Sequence, residues 1–239
     1  MYDGLSEFYD LFMQDVDYRA WADFACSYLD KDASGMDVGC GSGAFTFELK
    51  SRGFNVFGID VSPQMVAIAS KNAKKQGFSI DFAVANAEKI KLNKSVDFVT
   101  AICDVVNYIK NPTEFFKNTY ENLAENGVFI FDVSSEYKLK NILGDNVYTE
   151  EKDGVVYVWS NSLGKNKVDM FLSFFRKDPD GRYTRFDEEQ TQYVHTLDGI
   201  VNLLQKVGFE KIEVYSSIDK KRVTATSERL YFVAQKGKI

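Results

Sequence analysis

Three alternating glycines and one acidic residue are the part of this sequence best suited to bind a nucleotide-like ligand. Gly39, Gly41 and Gly43 lie within MDVGCGSG, and Asp60 follows Gly39 by 21 positions, in VFGIDVSP. Glycines let the main chain approach a ligand that a Cβ would exclude, and they aim the N-terminus of the next helix at it. A carboxylate at Asp60 is placed to accept hydrogen bonds from both hydroxyls of a ribose. The spacing therefore indicates a ligand that contains a ribose.

Alternating strands and helices are predicted to position this loop. SGMDVG (34–39), the helix AFTFELKSRG (44–53) and FNVFGIDV (54–61) form one βαβ unit, and an amphipathic helix precedes it in residues 16–31. Ser62 with Pro63 predicts a helix start, and Gly77 its end; Asn111 with Pro112 predicts a second start, for a helix reaching Gly127. This alternation predicts a mainly parallel sheet that is covered by helices on both faces.

The pattern changes after residue 134. Strand-like runs at 155–163, 167–177 and 182–195 are separated by GKN and by the turn sequence DPDG, which predicts a small antiparallel meander. Met170, Leu172 and Phe174 share one face, which is expected either to pack on the core or to cover a pocket or partner. A helix at 197–208 and two strands close the chain. We therefore assign residues 1–134 and 196–239 to a ligand-binding domain with an N-terminal lid, and residues 135–195 to an antiparallel insertion.

Composition excludes several classes of protein. A net charge of −6 disfavours binding to nucleic acid. The sequence contains no run of 18 apolar residues, so it does not predict a membrane span. The three cysteines lack paired spacing, which argues against a disulfide framework and against a structural zinc site. We expect a cytoplasmic protein that needs no metal and has neither nucleic acid nor membrane as a partner.

The loop also reads as an acidic-x-Gly-x-Gly-x-Gly motif, and the chain resembles the class I S-adenosylmethionine-dependent methyltransferases over nearly its whole length. Asp60 matches the acidic residue after their second strand. ANAEKI (85–90) resembles their adenine-binding segment, with Asn86 in place of the usual acid, and AICDVVNYI (101–109) resembles the stretch that faces the methionine moiety. NLAENGVFIFDV (122–133) is similar to their helix, turn and fifth strand. The pattern is most similar to small-molecule enzymes, including sugar-amine N-methyltransferases, that carry an antiparallel insertion after the fifth strand.

This resemblance implies an α/β fold: a doubly wound, mainly parallel, seven-stranded Rossmann-like sheet with the antiparallel insertion. It implies S-adenosyl-L-methionine as the cofactor, a small-molecule nitrogen or oxygen nucleophile as the methyl acceptor, and a monomer or homodimer. FYDLF…DYRAW near the N-terminus is similar to a segment that closes over the donor in these enzymes. The implied cofactor-binding residues are Tyr9, Tyr18, Trp21, Gly39, Cys40, Gly41, Gly43, Asp60, Val61, Met65, Asn86, Ala87, Cys103 and Asp104.

Asp104, Tyr108 and His195 are the candidate catalytic residues, because an incoming nucleophile must lose a proton. Each has a plainer interpretation: Asp104 as a ligand of the donor's amino group, Tyr108 as packing, and His195 as a structural hydrogen-bond partner. Aromatic and arginine side chains of the insertion are candidate substrate contacts, namely Tyr157, Trp159, Arg176, Tyr183 and Arg185.

Two other functions remain open at this stage. Gly39-x-Gly41-x-x-Ala44 also satisfies the dinucleotide fingerprint, so an NAD-dependent oxidoreductase is the first alternative. The second is a protein that binds S-adenosylmethionine without turnover.

Overall fold

A computed structural model describes residues 9–237, with side chains from residue 11 onward. The strands are β1 (Ser34–Val38), β2 (Asn55–Asp60), β3 (Phe82–Val84), β4 (Val96–Ala101), β5 (Leu123–Ser134), β6 (Val147–Lys152), β7 (Val155–Leu163), β8 (Lys167–Lys177), β9 (Tyr183–Tyr193), β10 (Phe209–Tyr215) and β11 (Arg229–Lys236). The α-helices are α1 (Tyr9–Phe12), α2 (Tyr18–Cys26), α3 (Ala44–Ser51), α4 (Pro63–Gln76), α5 (Thr113–Asn122) and α6 (Leu197–Val207). A 3₁₀ turn covers Val105–Tyr108 and a π-helix covers Lys138–Leu143.

Seven of these strands form one sheet in the order β10-β11-β5-β4-β1-β2-β3. β1 to β5 are parallel, whereas β11 pairs antiparallel with both β5 and β10. β1 pairs with β2 on one side and β4 on the other, so the strand order reverses there. Ligands of open α/β sheets bind beyond the carboxyl ends of the strands at such a reversal. The predicted fold class is confirmed, and the glycine loop lies at the reversal point.

The two faces of the sheet carry separate apolar cores because neighbouring residues on a strand point in opposite directions. On β4, Phe98 belongs to the core beneath α2 and α3, and Val99 belongs to the core beneath α5 and α6. On β5, Ile130 lies in the first core while Phe129 and Phe131 lie in the second. Helices therefore cover both faces, as the alternation of elements predicted.

Capping explains where most helices begin and end. Ser62 Oγ accepts a hydrogen bond from Met65 N, and Gly77 ends α4 with a left-handed φ of +76°. The second predicted start is one residue early, since α5 begins at Thr113 and the Asn111 side chain accepts from the Thr113 N–H. The predicted end of this helix at Gly127 is wrong. The chain joins β5 from residue 123 because it pairs with β4 there, with an irregularity in register before residue 128.

The insertion contains a second sheet of four strands in the order β6-β7-β8-β9. The three strands predicted from the sequence are present as β7, β8 and β9, whereas β6 and the π-helix were not predicted. Met170, Leu172 and Phe174 do share a face, and that face lines a cavity. Phe171 lies on the opposite, outer face and is 44% exposed. The oligomeric state stays a prediction.

Within the described residues, none of the helices has both the length and the apolar character needed to cross a bilayer.

Candidate functional site

The glycine loop between β1 and α3 has a backbone that only glycine adopts easily. The φ angle is +66° at Gly39, +54° at Gly41 and +91° at Gly43. A Cβ on Gly39 would lie 2.5 Å from Cγ2 of Val105, in the 3₁₀ turn after β4. A Cβ on Gly43 would instead lie 2.7 Å from the ring of Phe47. Gly39 thus permits close approach of two segments of the site, whereas Gly43 permits packing of the loop on its own helix.

Asp60 holds the loop in place at the end of β2. Its Oδ2 accepts a hydrogen bond from Gly41 N at 3.0 Å, and its Oδ1 accepts one from Ser62 N at 2.8 Å. Burial raises the pKa of this carboxyl, while the N–H groups of Ser62, Gly41 and Val61 act in the opposite direction. Each oxygen keeps a second lone pair for an incoming hydroxyl. Asp60 therefore combines an anchor for the loop with a remaining capacity to accept.

A cavity of about 250 Å³ opens over this loop. Eight of the predicted cofactor-binding residues line it: Gly39, Gly41, Asp60, Val61, Met65, Asn86, Ala87 and Cys103. Its wall also includes apolar side chains that were not predicted, namely Val38, Ile59, Ile102, Val105 and Ile109. Asn86 Oδ1 accepts from Glu88 N at 2.8 Å, so its amide nitrogen remains as a donor. Cys40 and Gly43 do not line this cavity.

A second cavity of about 510 Å³ lies between the core, the inner face of the insertion sheet and the segment just before and within α2. Met170, Leu172 and Phe174 supply part of its wall from the insertion, and Tyr231 supplies part from the core. Cys103 and Tyr108 line both cavities. The two spaces therefore meet at the turn that follows β4.

Asp104 lines the larger cavity and is held by an ionic network. Its Oδ1 accepts from Arg229 Nη1 at 2.8 Å, and its Oδ2 accepts from Gln192 Nε2 at 2.5 Å. The same Arg229 nitrogen also donates to Asp132, which is fully buried. Burial alone would lower the pKa of the Arg229 guanidinium, but the negative charges of Asp132 and Asp104 have the larger effect and raise it. Both oxygens of Asp104 are therefore engaged by protein groups.

The backbone at this position is unusual as well. Cys103 and Asp104 both have left-handed φ angles, of 60° and 56°, which non-glycine residues rarely adopt. Such conformations persist where the surroundings hold them, and they concentrate at functional sites. Here the network around Arg229 supplies that support.

Tyr108 and His195, the other predicted catalytic residues, differ in their placement. The Tyr108 hydroxyl donates to Gln190 Oε1 at 3.0 Å, and the side chain lines both cavities. His195 lines neither cavity; its Nε2 donates to the Ile109 carbonyl oxygen at 3.0 Å. Burial lowers the pKa of His195, which favours the neutral ring. The structure thus brings Tyr108 to the junction and leaves His195 behind it, in the position expected of a structural partner.

The aromatic residues predicted near the N-terminus to bind the cofactor do not lie together. Trp21 is buried, packs against Tyr231 with the two rings tilted and their centroids 4.9 Å apart, and lines the larger cavity. Tyr18 packs against the core on the α2 side and lines neither cavity. The backbone of Tyr9 belongs to α1, but its side chain lies outside the described part of the chain. The structure therefore does not bring Tyr18 or Trp21 to the smaller cavity.

The two cysteines near the site are poorly suited to act as nucleophiles. Burial raises the pKa of both Cys40 and Cys103, with nearby carboxylates adding to the effect. A thiol with a raised pKa contains little thiolate at neutral pH. Cys40 lies in the loop as a small buried residue, and Cys103 forms part of the wall.

Several residues of the site were missed by sequence reasoning. Arg229 and Asp132 come from β11 and β5, and Gln190 and Gln192 come from β9. Lys138 lines the larger cavity from the start of the π-helix. The only sequence signal was in β9, where Glu188, Gln190 and Gln192 alternate on one face of a predicted strand.

Comparisons with known proteins agree with this geometry. The family described as "Methyltransferase domain" matches residues 29–176. A protein of Geobacillus sp. (strain WCH70) that carries a methyltransferase name is 34% identical, over 98% of this chain and 99% of that protein. The crystal structure of an S-adenosylmethionine-dependent methyltransferase from Clostridium acetobutylicum ATCC 824 has a TM-score of 0.90 at 30% identity, covering 99% of both chains. The sugar N-methyltransferase KedS8 from Streptoalloteichus sp ATCC 53650 has a TM-score of 0.81 at 20% identity, covering 100% of this chain and 96% of that one.

A Rossmann-like sheet with a glycine loop, an acidic residue after β2 and a cavity over both defines a nucleotide-cofactor-dependent enzyme. The chain belongs to the S-adenosylmethionine-dependent methyltransferases. The oxidoreductase alternative is therefore wrong, since the relatives that match along the whole chain are methyltransferases.

Proposed function

We propose that the protein transfers a methyl group from S-adenosylmethionine, bound in the 250 Å³ cavity, to a nitrogen or oxygen atom of a small molecule in the 510 Å³ cavity. The observation that carries this proposal is the junction: Cys103 and Tyr108 line both spaces, so two ligands can meet there. A likeness in fold to KedS8, a sugar N-methyltransferase, supports a small acceptor.

The residues of the smaller cavity fit the donor. We place the methionine portion against Gly39 and Gly41, which both line this cavity. Asp60 accepts from the ribose hydroxyls with the lone pairs that Gly41 and Ser62 leave unused. Asn86 and Ala87 border the adenine. Because the Asn86 oxygen is already engaged by Glu88 N, its amide offers a donor suited to a ring nitrogen of adenine.

The chemistry requires alignment more than acid–base catalysis. The bound cofactor supplies a methyl carbon that is activated by an attached sulfonium. An acceptor held at the junction would attack that carbon with a lone pair, the electrons of the carbon–sulfur bond would stay with sulfur in the leaving thioether, and the N–H or O–H proton of the acceptor would pass to water. The protein's part is to hold the acceptor at the junction, where the Tyr108 hydroxyl and the Asp104 network restrict its orientation.

The insertion is the element we assign to acceptor choice. Residues 135–195 supply Tyr157, Trp159 and Gln190 to the cavity, whereas Arg176, Tyr183 and Arg185 do not line it. Tyr183 is 51% exposed. Residues 1–134 and 196–239 would then form the cofactor domain. This division is a proposal about function, supported by the separate four-stranded sheet.

Calorimetric titration tests the donor site directly. We expect S-adenosylhomocysteine, the product that remains after transfer, to bind, and NADH not to bind. Asp60→Ala should weaken binding by about tenfold to a hundredfold, because it removes a charged acceptor of two hydrogen bonds. Asp81→Ala is the matched control, since Asp81 is exposed and lines neither cavity.

Two outcomes would contradict the proposed function. The first is unchanged affinity for S-adenosylhomocysteine in Asp60→Ala. The second is failure of radiolabelled S-adenosylmethionine to yield a methylated product with any member of an amine and hydroxyl library, when the donor product binds normally.

A further inference from the structure

Hydrogen-bond donors that the protein itself does not use line one side of the larger cavity. Gln190 is 7% exposed; its Oε1 accepts from the Tyr108 hydroxyl, and its Nε2 has no partner among the described residues. Trp159 Nε1 is also buried without a partner in this part of the chain. Both residues lie on the inner face of the insertion sheet and both line the cavity.

Lys138 adds a positive charge to the same cavity. It is half-buried at the start of the π-helix, where Ser135 Oγ accepts from its backbone N–H. Within residues 11–237, no carboxylate oxygen lies within 4.0 Å of its Nζ. Lys140, two residues further on, instead pairs with Glu136 at 2.6 Å. The nearby carboxylates of Asp104 and Asp132 are both committed to Arg229.

Unused buried donors are unfavourable unless a ligand provides acceptors. Burial lowers the pKa of Lys138 and the charge of Arg229 acts in the same direction, whereas the carboxylates of Asp104, Glu228 and Asp132 act against it. An oxyanion in the cavity would satisfy all three groups at once, because a carboxylate presents two oxygens and only accepts. Asp15 and Asp17 at the cavity rim oppose an anion only weakly, since both are exposed and screened by water.

Beside Asp104, the cavity instead contains a buried hydrogen-bond acceptor that needs a donor from a ligand. Gln192 is 4% exposed, and its Nε2 must face the Asp104 carboxylate, which can only accept. Its Oε1 therefore remains as a buried acceptor without a partner among the described residues. An N–H or O–H group of the ligand would satisfy it. Within the described residues, the cavity wall thus carries unpaired donors on Trp159 and Gln190 and an unpaired acceptor on Gln192.

We propose that the methyl acceptor is an amino or hydroxy acid whose carboxylate is held by Lys138, Trp159 Nε1 and Gln190 Nε2. Its nucleophilic N–H or O–H group then lies toward Gln192 Oε1 and the junction with the donor cavity. This inference rests on the proposed function and extends it to a class of acceptor. The carboxylate is a recognition group here and is not itself methylated.

The test is binding to protein saturated with S-adenosylhomocysteine. The probes are aromatic and aliphatic amino and hydroxy acids, such as 4-aminobenzoate and 4-hydroxybenzoate, each paired with its neutral primary amide. At least one acid should bind about tenfold or more tightly than its amide, because a charge-assisted hydrogen bond is lost in the amide. Lys138→Met should abolish this preference, and Lys140→Met should retain it.

Three results would overturn the inference: amides that bind as well as acids, a preference that survives in Lys138→Met, or no binding by any acid. All three results are measured with protein that has first been shown to bind S-adenosylhomocysteine. A failure of the donor site is therefore distinguished from a failure of this inference. Carbon-13 methylation of the lysines gives a second measurement on the wild-type side chain. Addition of the acid should raise the pKa of Lys138 toward its ordinary value, and no change would count against the ion pair.

Discussion

Gly39→Ala is the substitution whose cost can be worked out most directly from the structure. With φ at +66°, an alanine would occupy the left-handed region, at a cost of about 1–2 kcal/mol. Its Cβ would also lie 2.5 Å from Cγ2 and 3.3 Å from Cγ1 of Val105, and overpacking of this kind costs about 1–3 kcal/mol. The reduced entropy of the unfolded chain returns about 0.4–1 kcal/mol. We therefore expect a net loss of about 1–5 kcal/mol.

A second substitution separates the two costs. Val105→Ala removes both offending methyl groups and leaves Cβ at 3.5 Å from the new atom, an ordinary contact. The double variant should therefore recover the overpacking part, giving a favourable coupling of about 1–3 kcal/mol, while the left-handed cost remains. Because Val105 is only partly buried, its own truncation serves as the single-variant control in the cycle.

Urea unfolding followed by circular dichroism measures the stability of all four proteins, and calorimetry with S-adenosylhomocysteine measures the donor site. Affinity should fall in Gly39→Ala and recover in part in the double variant, because both residues line the donor cavity. Strictly additive losses of stability would refute the reasoning, since they would mean that Val105 does not limit the space at Gly39.

Two further predictions concern buried charges. Asp37 is fully buried between two threonine hydroxyls, and burial raises its pKa to about 6, so ionisation costs stability as pH rises from about 4 to about 6. Asp37→Asn lacks this ionisation, so its free energy of unfolding should rise relative to that of the wild type by up to about 3 kcal/mol between pH 4 and pH 7. If denaturant titrations give the same difference between the two proteins at every pH, the prediction is contradicted. Arg229→Met should destabilise by about 3–5 kcal/mol by leaving Asp132 buried without its partner. In thermal unfolding the exposed control Arg182→Met should change little, and equal effects of the two would refute the role of the network.

Local patterns predicted the segments that surround the glycine loop. The glycine loop, Asp60 and the Ser62–Pro63 helix start are each fixed by residues within a few positions of one another, through φ preference and capping. The contacts that form them are therefore visible in a short stretch of sequence. The same holds for β7, β8 and β9, whose turns carry Gly164 and Gly181 at the required places.

The larger cavity depends on contacts between distant parts of the chain, which local patterns do not encode. Arg229 lies 97 positions from Asp132 and 125 from Asp104, and nothing around any of them indicates the pairing. β6 was overlooked because VYTEEK is mostly polar, and a strand at the edge of a sheet needs little apolar surface. The predicted end of α5 was wrong because pairing with β4 outweighs the helix preference of residues 123–126.

The network around Asp104 changes the interpretation of that residue. A general base must direct a lone pair at the proton that it removes, and the hydrogen bonds from Arg229 and Gln192, one to each oxygen of Asp104, fix the direction of the lone pairs that remain. A neutral amine attacks without prior loss of a proton, so an amine acceptor does not require such a base. We infer that Asp104 acts as a positioning residue: it accepts from the amide of Gln192, which lines the larger cavity, and it shares the left-handed turn with Cys103, which lines both cavities. The rate of methyl transfer then depends on how well the turn after β4 aligns the two ligands. The side chains that hold this turn come from three strands, β5, β9 and β11.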